Sequence, residues 1–131
     1  MSSLIRWIKR LETKLGSSVT LATAAATVTY DQATYSGGAI VSNVGATGAV
    51  TFSLPPATVG MRVTAIVKSA FELRLDPSGT QTIALPTTGV QGAAGKYLTG
   101  NTVGASVSLI CIVAGTWDHV RGANGTWTAE A

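Results

Sequence analysis

From about position 19 onward the chain alternates apolar and polar residues with a period of two, and its apolar positions favour β-branched side chains. Such alternation marks strands that turn one face toward a core. Val19, Leu21, Val28 and Tyr30 outline a first extended segment around the small-residue stretch 22–27. The pattern then predicts strands over 39–44, 49–54, 61–68, 71–75, 81–85, 96–98, 105–113, 117–121 and 125–128. Turn-forming residues separate them: Ser36-Gly37-Gly38, Pro55-Pro56, Asp76-Pro77-Ser78-Gly79 and Asn124-Gly125. Short strands at this spacing imply a mainly β fold, an antiparallel sandwich or jelly-roll-like body. No strict internal repeat is visible, and no linker divides the body.

Residues 1–16 follow a different rule. Met1, Leu4, Ile8, Leu11 and Leu15 recur at alternating spacings of three and four, the seam of a short amphipathic helix. Ser2 or Ser3 can cap its start, and Gly16 with Ser17 and Ser18 can end it. The expected organisation is therefore a helical arm over 1–16 and a β body over 17–131. Arg6, Lys9, Arg10 and Lys14, set against Glu12 alone, place the whole formal charge of +3 in the arm. The body balances Arg62, Lys68, Arg74, Lys96 and Arg121 against Asp31, Glu72, Asp76, Asp118 and Glu130.

Composition adds one constraint. Charged residues are 11% of the chain and hydrophobic ones 46%, whereas an average soluble domain carries roughly 25% charged residues. A surface so poor in charge is best accommodated by burying part of it against copies of itself or another protein. Leu4, Arg6, Ile8, Lys9, Arg10, Leu11, Lys14 and Leu15 are the candidate partner-binding residues, because so short a helix needs packing to be stable. Their charges also suit phosphates or anionic lipid, but the body offers no basic groove, and protein docking or self-packing is the expected role. No apolar run is long enough for a transmembrane helix, and the N-terminus lacks the pattern of a signal peptide, so a mature start near Met1 is expected.

Chemistry is sparse. His119 neighbours Asp118, but adjacent strand residues face opposite sides, which argues against a catalytic pair. Asp76 is expected to cap its turn, and Glu72 and Arg74 to share a solvated strand face. The segment 89–96 resembles a phosphate-binding loop but has the wrong glycine spacing, and Tyr97 stands where a hydroxyl residue is needed. Asn124-Gly125-Thr126 matches a glycosylation sequon, yet reads better as a hairpin turn. Cys111, in an apolar run, is expected to be a buried hydrophobe. No catalytic residue, cofactor or metal ligand is expected, and the chain reads as a non-enzyme. Trp117 and Trp127 flank the last expected hairpin; a subunit interface and the chain's own core remain alternatives for both.

One resemblance bears on function. The run from Ile40 through Asn43, Gly45, Phe52 and Leu54 to Pro55 is followed by Gly60-Met61, Leu75-Asp76-Pro77, Gly115-Thr116-Trp117 and Gly125-Thr126-Trp127. This order resembles small β modules of tailed-bacteriophage virion proteins, both capsid decoration (cement) proteins and tail-fibre or spike segments. The resemblance implies a homotrimer on the virion's capsid surface, assembled in the host cytoplasm, with the major capsid protein as partner. The alternative it leaves open is a tail-fibre or spike module binding host-surface carbohydrate, which needs exposed aromatics among Tyr30, Tyr35, Tyr97, Trp117 and Trp127. Neither nucleic-acid binding nor membrane insertion is expected.

Overall fold

The computed structural model describes residues 38–131, together with the backbone of two short strands at 19–21 and 27–29. Among the described residues eleven strands form in this order: β1 (Val19–Leu21), β2 (Thr27–Thr29), β3 (Ala39–Ser42), β4 (Val50–Ser53), β5 (Arg62–Ile66), β6 (Leu73–Asp76), β7 (Thr82–Ile83), β8 (Leu98–Gly100), β9 (Ser106–Ile110), β10 (Thr116–His119) and β11 (Trp127–Ala129). No helix occurs among the described residues, and the expected arm over 1–16 lies outside them.

The strands make two mixed sheets around one core. The first has the order β1-β3-β5-β9-β10-β7, the second β11-β8-β6-β4-β2. Period-two burial explains the layering. Val63 and Ala65 on β5, and Val107 and Leu109 on β9, point inward from the first sheet. Val50 and Phe52 on β4, and Leu73 and Leu75 on β6, meet them from the second. Each large apolar side chain fully buried here favours the fold by roughly 1.5–3 kcal/mol.

The expectation of a mainly β body holds, but that of an antiparallel jelly roll needs correction. The first six strands alternate between the sheets, so each strand meets its next sheet neighbour after one complete turn of chain and runs parallel to it. Val19 pairs with Ile40, which pairs with Thr64, in the first sheet. Thr27 pairs with Thr51, which pairs with Arg74, in the second. The result is three stacked β coils, with Phe52 directly over Leu75 and Val50 over Leu73. Antiparallel pairing begins only where β8 and β9 return beside β6 and β5.

One side chain clamps the second coil to the third. Asn43 is fully buried just after β3. Its Nδ2 donates to the carbonyls of Ser69 (3.1 Å) and Phe71 (3.0 Å), and its Oδ1 accepts from the amides of Lys68 (2.7 Å) and Ser69 (3.1 Å). A buried amide with both groups satisfied fixes a corner that neither sheet ladder reaches.

The expected turn at Asn124-Gly125 is also corrected. Gly125 has a positive φ of 78°, but the segment joins β10 of one sheet to β11 of the other and is not a hairpin. Asn124 exchanges both backbone hydrogen bonds with Ser106 on the way (2.8 and 2.9 Å).

Candidate interaction surfaces

The outer face of the second sheet carries a cluster of charged residues. Leu73 and Leu75 point inward, so Glu72, Arg74 and Asp76 point out. Arg74 donates from Nε to Glu72 Oε2 (2.8 Å) in the ion pair found among the described residues, and its guanidinium lies 5.0 Å from the centre of the Tyr97 ring. Both members are substantially exposed, so this is the solvated pair the sequence implied, worth little to stability. Glu130 accepts from the Tyr97 amide (3.3 Å). Asp76 behaves differently from expectation. Its carboxylate takes no hydrogen bond from the turn, and burial, followed by the neighbouring Glu130, raises its pKa above the usual carboxylate value.

Asp118 and His119 are held apart, as alternation requires. Asp118 Oδ1 accepts from Gln91 Nε2 (2.9 Å), while His119 Nε2 meets the carbonyl of Ala84 (2.7 Å). Gln91 also donates to the Trp117 carbonyl (3.1 Å) and accepts from the Thr82 hydroxyl (2.6 Å). This network ties β10 to β7 and to the glycine-containing loop 89–96. That loop hydrogen-bonds back onto β7 through Leu85 N to Val90 O (2.7 Å) and Gly92 N to Ile83 O (3.0 Å). The amides of Gly89, Gly92 and Gly95 are paired with the carbonyls of Leu85, Ile83 and Gln81, which argues against a phosphate cradle. Gln91 and Asn43 are organising residues that sequence reading missed, because a lone amide side chain carries no periodic signal.

Two shallow grooves accompany these features. One, of about 310 Å³, runs between β7 and the Tyr97–Glu130 side of the second sheet. In its polar lining, Gln91 is held by β10, Glu130 accepts from the Tyr97 amide, and the Tyr97 ring lies beside Arg74. The other, of about 460 Å³, follows Ser106–Ser108 and 120–124. Neither brings together a nucleophile, a base and an oxyanion donor. Among the described residues no group of three or more His, Cys, Asp or Glu could hold a metal ion. Trp117 and Trp127 are 0% and 5% exposed and belong to the core, the second of the two alternatives left open for them. Cys111 is buried as expected, and burial pushes its thiol pKa up. The arm residues Leu4 to Leu15, and Tyr30 and Tyr35, fall outside the described residues.

The remaining surface of interest lies at the two ends of the sandwich. At the end where β5 finishes, Val44, Phe71 and Val103 are exposed on loops joined by Asn43 and by Gly104 N to Val67 O (2.9 Å). At the opposite end, where Pro55 and Pro56 close β4, Val59, Ile112 and Val113 are 64%, 60% and 62% exposed. Hydrogen bonds staple the loops that carry them: Gly60 N to Cys111 O (2.9 Å), Cys111 N to Met61 O (2.9 Å) and Gly115 N to Ala57 O (3.0 Å). A third loop joins through Gln81 Oε1, which accepts from Ala57 N (2.8 Å).

Comparison with known proteins leaves the assignment to these features: no protein family matches the chain, and no curated protein matches its sequence.

Proposed function

We propose that the chain is a non-enzymatic structural module of a tailed-phage particle, a homotrimeric capsid decoration protein that binds the outer head surface and stabilises the shell. The observation that carries this reading is the winding of the body. Three β coils closed by antiparallel strands make a rigid block whose first coil forms the outer edge of both sheets. β1, the strand that follows the expected arm in the sequence, lies at the edge of the first sheet, which suits an arm that grips a shell while the body is presented outward. The scarcity of charge supports a scaffolding role.

The parallel coils favour one second reading, a tail-fibre or spike module, since such coils stack along an axis. Carbohydrate recognition there would rest on half-buried Tyr97 or exposed Phe71 among the described aromatics, because both body tryptophans are buried.

Light scattering on the purified chain, with immunogold labelling of particles, tests the proposal. A trimer and label over the head are the expected results; label at the tail tip selects the second reading, and a monomer that labels no particle refutes both. Removal of residues 2–15 is expected to leave the body folded and abolish incorporation, because burying Leu4, Ile8, Leu11 and Leu15 is worth several kcal/mol at roughly 1.5–3 kcal/mol each.

A further inference from the structure

We propose that Asn124 is a site of spontaneous covalent modification, its side-chain amide being lost to attack by the backbone nitrogen of Gly125. The inference does not rest on the decoration reading. The Asn124 side chain is exposed and holds almost nothing, since Nδ2 reaches only the Gly104 carbonyl, at 3.4 Å. Backbone groups hold the corner instead. Asn124 exchanges hydrogen bonds with Ser106, and its carbonyl also accepts from Trp127 Nε1 (3.2 Å). The amide of Gly125 donates to no group among the described residues. The electrophilic Cγ is therefore open to solvent, and the attacking nitrogen next to it is unpaired.

The fold itself demands the glycine. Gly125 has a φ of 78°, and a Cβ there would lie 2.8 Å from the Cβ of Ala105. Both facts exclude a side chain, so nothing shields the nitrogen. The other asparagines are built differently. Asn43 is 0% exposed, has both ends of its amide bonded and precedes Val44. Asn101 is exposed but precedes Thr102, whose branched Cβ crowds the nitrogen that would attack.

The chemistry needs only water. Gly125 N bonds to Asn124 Cγ, the Cγ–Nδ2 bond breaks, and the nitrogen's proton passes through solvent to the ammonia that leaves. The product is a five-membered imide, favoured because both reacting groups belong to one short stretch of chain. Water then opens the ring. Opening at Cγ gives aspartate; opening at the former backbone carbonyl gives isoaspartate, with the chain rerouted through the side chain. Ring closure requires the 124–125 peptide to turn, which loosens the bonds from Ser106 N and Trp127 Nε1. The reaction thus proceeds from a locally opened corner. Loosening two bonds slows the folded chain by about ten- to a hundredfold against the unfolded one. Isoaspartate removes the acceptor that both donors share, and so detaches β11 from Ser106 as the protein ages. Aspartate places a carboxylate in the groove that Arg121 also lines.

Peptide mapping of the full-length chain, incubated at mildly alkaline pH, tests the proposal. Trypsin cuts after Lys14, Arg62, Lys96 and Arg121, so Asn43, Asn101 and Asn124 fall in separate peptides. Peptide 122–131 is expected to gain the mass that separates an acid from an amide, faster as pH rises, and to become a substrate for isoaspartyl methyltransferase. Peptides 15–62 and 97–121 should lag well behind. Asn124→Gln should abolish the gain, because the larger ring closes far more slowly, and should melt within about 2 °C of the parent. No gain in 122–131 after about a hundred half-times of the urea-unfolded chain overturns the proposal, as does a gain in 97–121 that matches it. A large loss of stability in Asn124→Gln overturns it too, since the side chain would then be holding the corner.

Discussion

Asn43→Ala removes the clamp between the second and third coils. Four hydrogen bonds disappear, leaving the amides of Lys68 and Ser69 and the carbonyls of Ser69 and Phe71 without their partner. At roughly 0.5–1.5 kcal/mol net for each bond, the loss is about 2–6 kcal/mol, and partial rehydration of this corner places the expectation near 3 kcal/mol. Against a typical total of about 5–15 kcal/mol, that is a large fraction. Thermal unfolding should shift down by about 10 °C for a chain of this size. Asn43→Asp separates hydrogen bonding from shape. The carboxylate still accepts from Lys68 and Ser69 but sets a second oxygen against the Ser69 and Phe71 carbonyls. Burial and those carbonyls raise its folded pKa above the unfolded value, so the variant is expected to recover stability as pH falls and to lose it as pH rises. Melting within about 3 °C of the parent for Asn43→Ala, or a pH-independent deficit for Asn43→Asp, would refute the clamp.

Three further outcomes follow from other sites. Because burial, and then Glu130, raises the Asp76 pKa, ionising it opposes folding; Asp76→Asn should increase the melting temperature at pH 7 and leave it unchanged near about pH 3, measured by calorimetry. Cys111 should resist thiol reagents in the folded protein and react once denatured, as a colorimetric thiol assay would show. In Gly100→Ala the added Cβ would meet the Trp127 ring at 3.0 Å, so a loss of about 1–3 kcal/mol and an altered near-ultraviolet dichroism signal are expected in denaturant titration.

Strand positions were largely legible because inward residues such as Val63, Ala65, Leu73 and Leu75 alternate with polar ones. Strand partners were not. Period two says which face is buried but not which strand lies beside it or in what direction. The stacked pairs differ in size, as Ala39–Val63 and Val41–Ala65 do, or in chemistry, as Thr51–Arg74 does, so the coils leave no repeat in the sequence. The clamping role of Asn43 was not legible, because the four groups it bonds lie a full coil away. Asp76 resembles a turn cap locally, but its environment is set by burial and then by Glu130 far along the chain. For Trp117 and Trp127, size alone could not distinguish a core from an interface. The exposed apolar residues of the Pro55 end went unread, since Ile112 and Val113 fell inside the strand expected over 105–113 and Val59 in a connection between two strands.

The alternation of strands between sheets also governs how the chain can be made. Apart from β9 with β10, described strands pair across about twenty residues or more, so few contacts can form while only a short length has left the ribosome. Until 98–110 has emerged, β5 and β6 stand at the growing edges of both sheets with their backbone groups unpaired. A product that stops before β8 would carry two open edges with Leu73, Leu75, Val63 and Ala65 beside them, a template for association with other nascent chains. The C-terminal strands thus act late, as the closure that keeps unfinished copies from joining edge to edge.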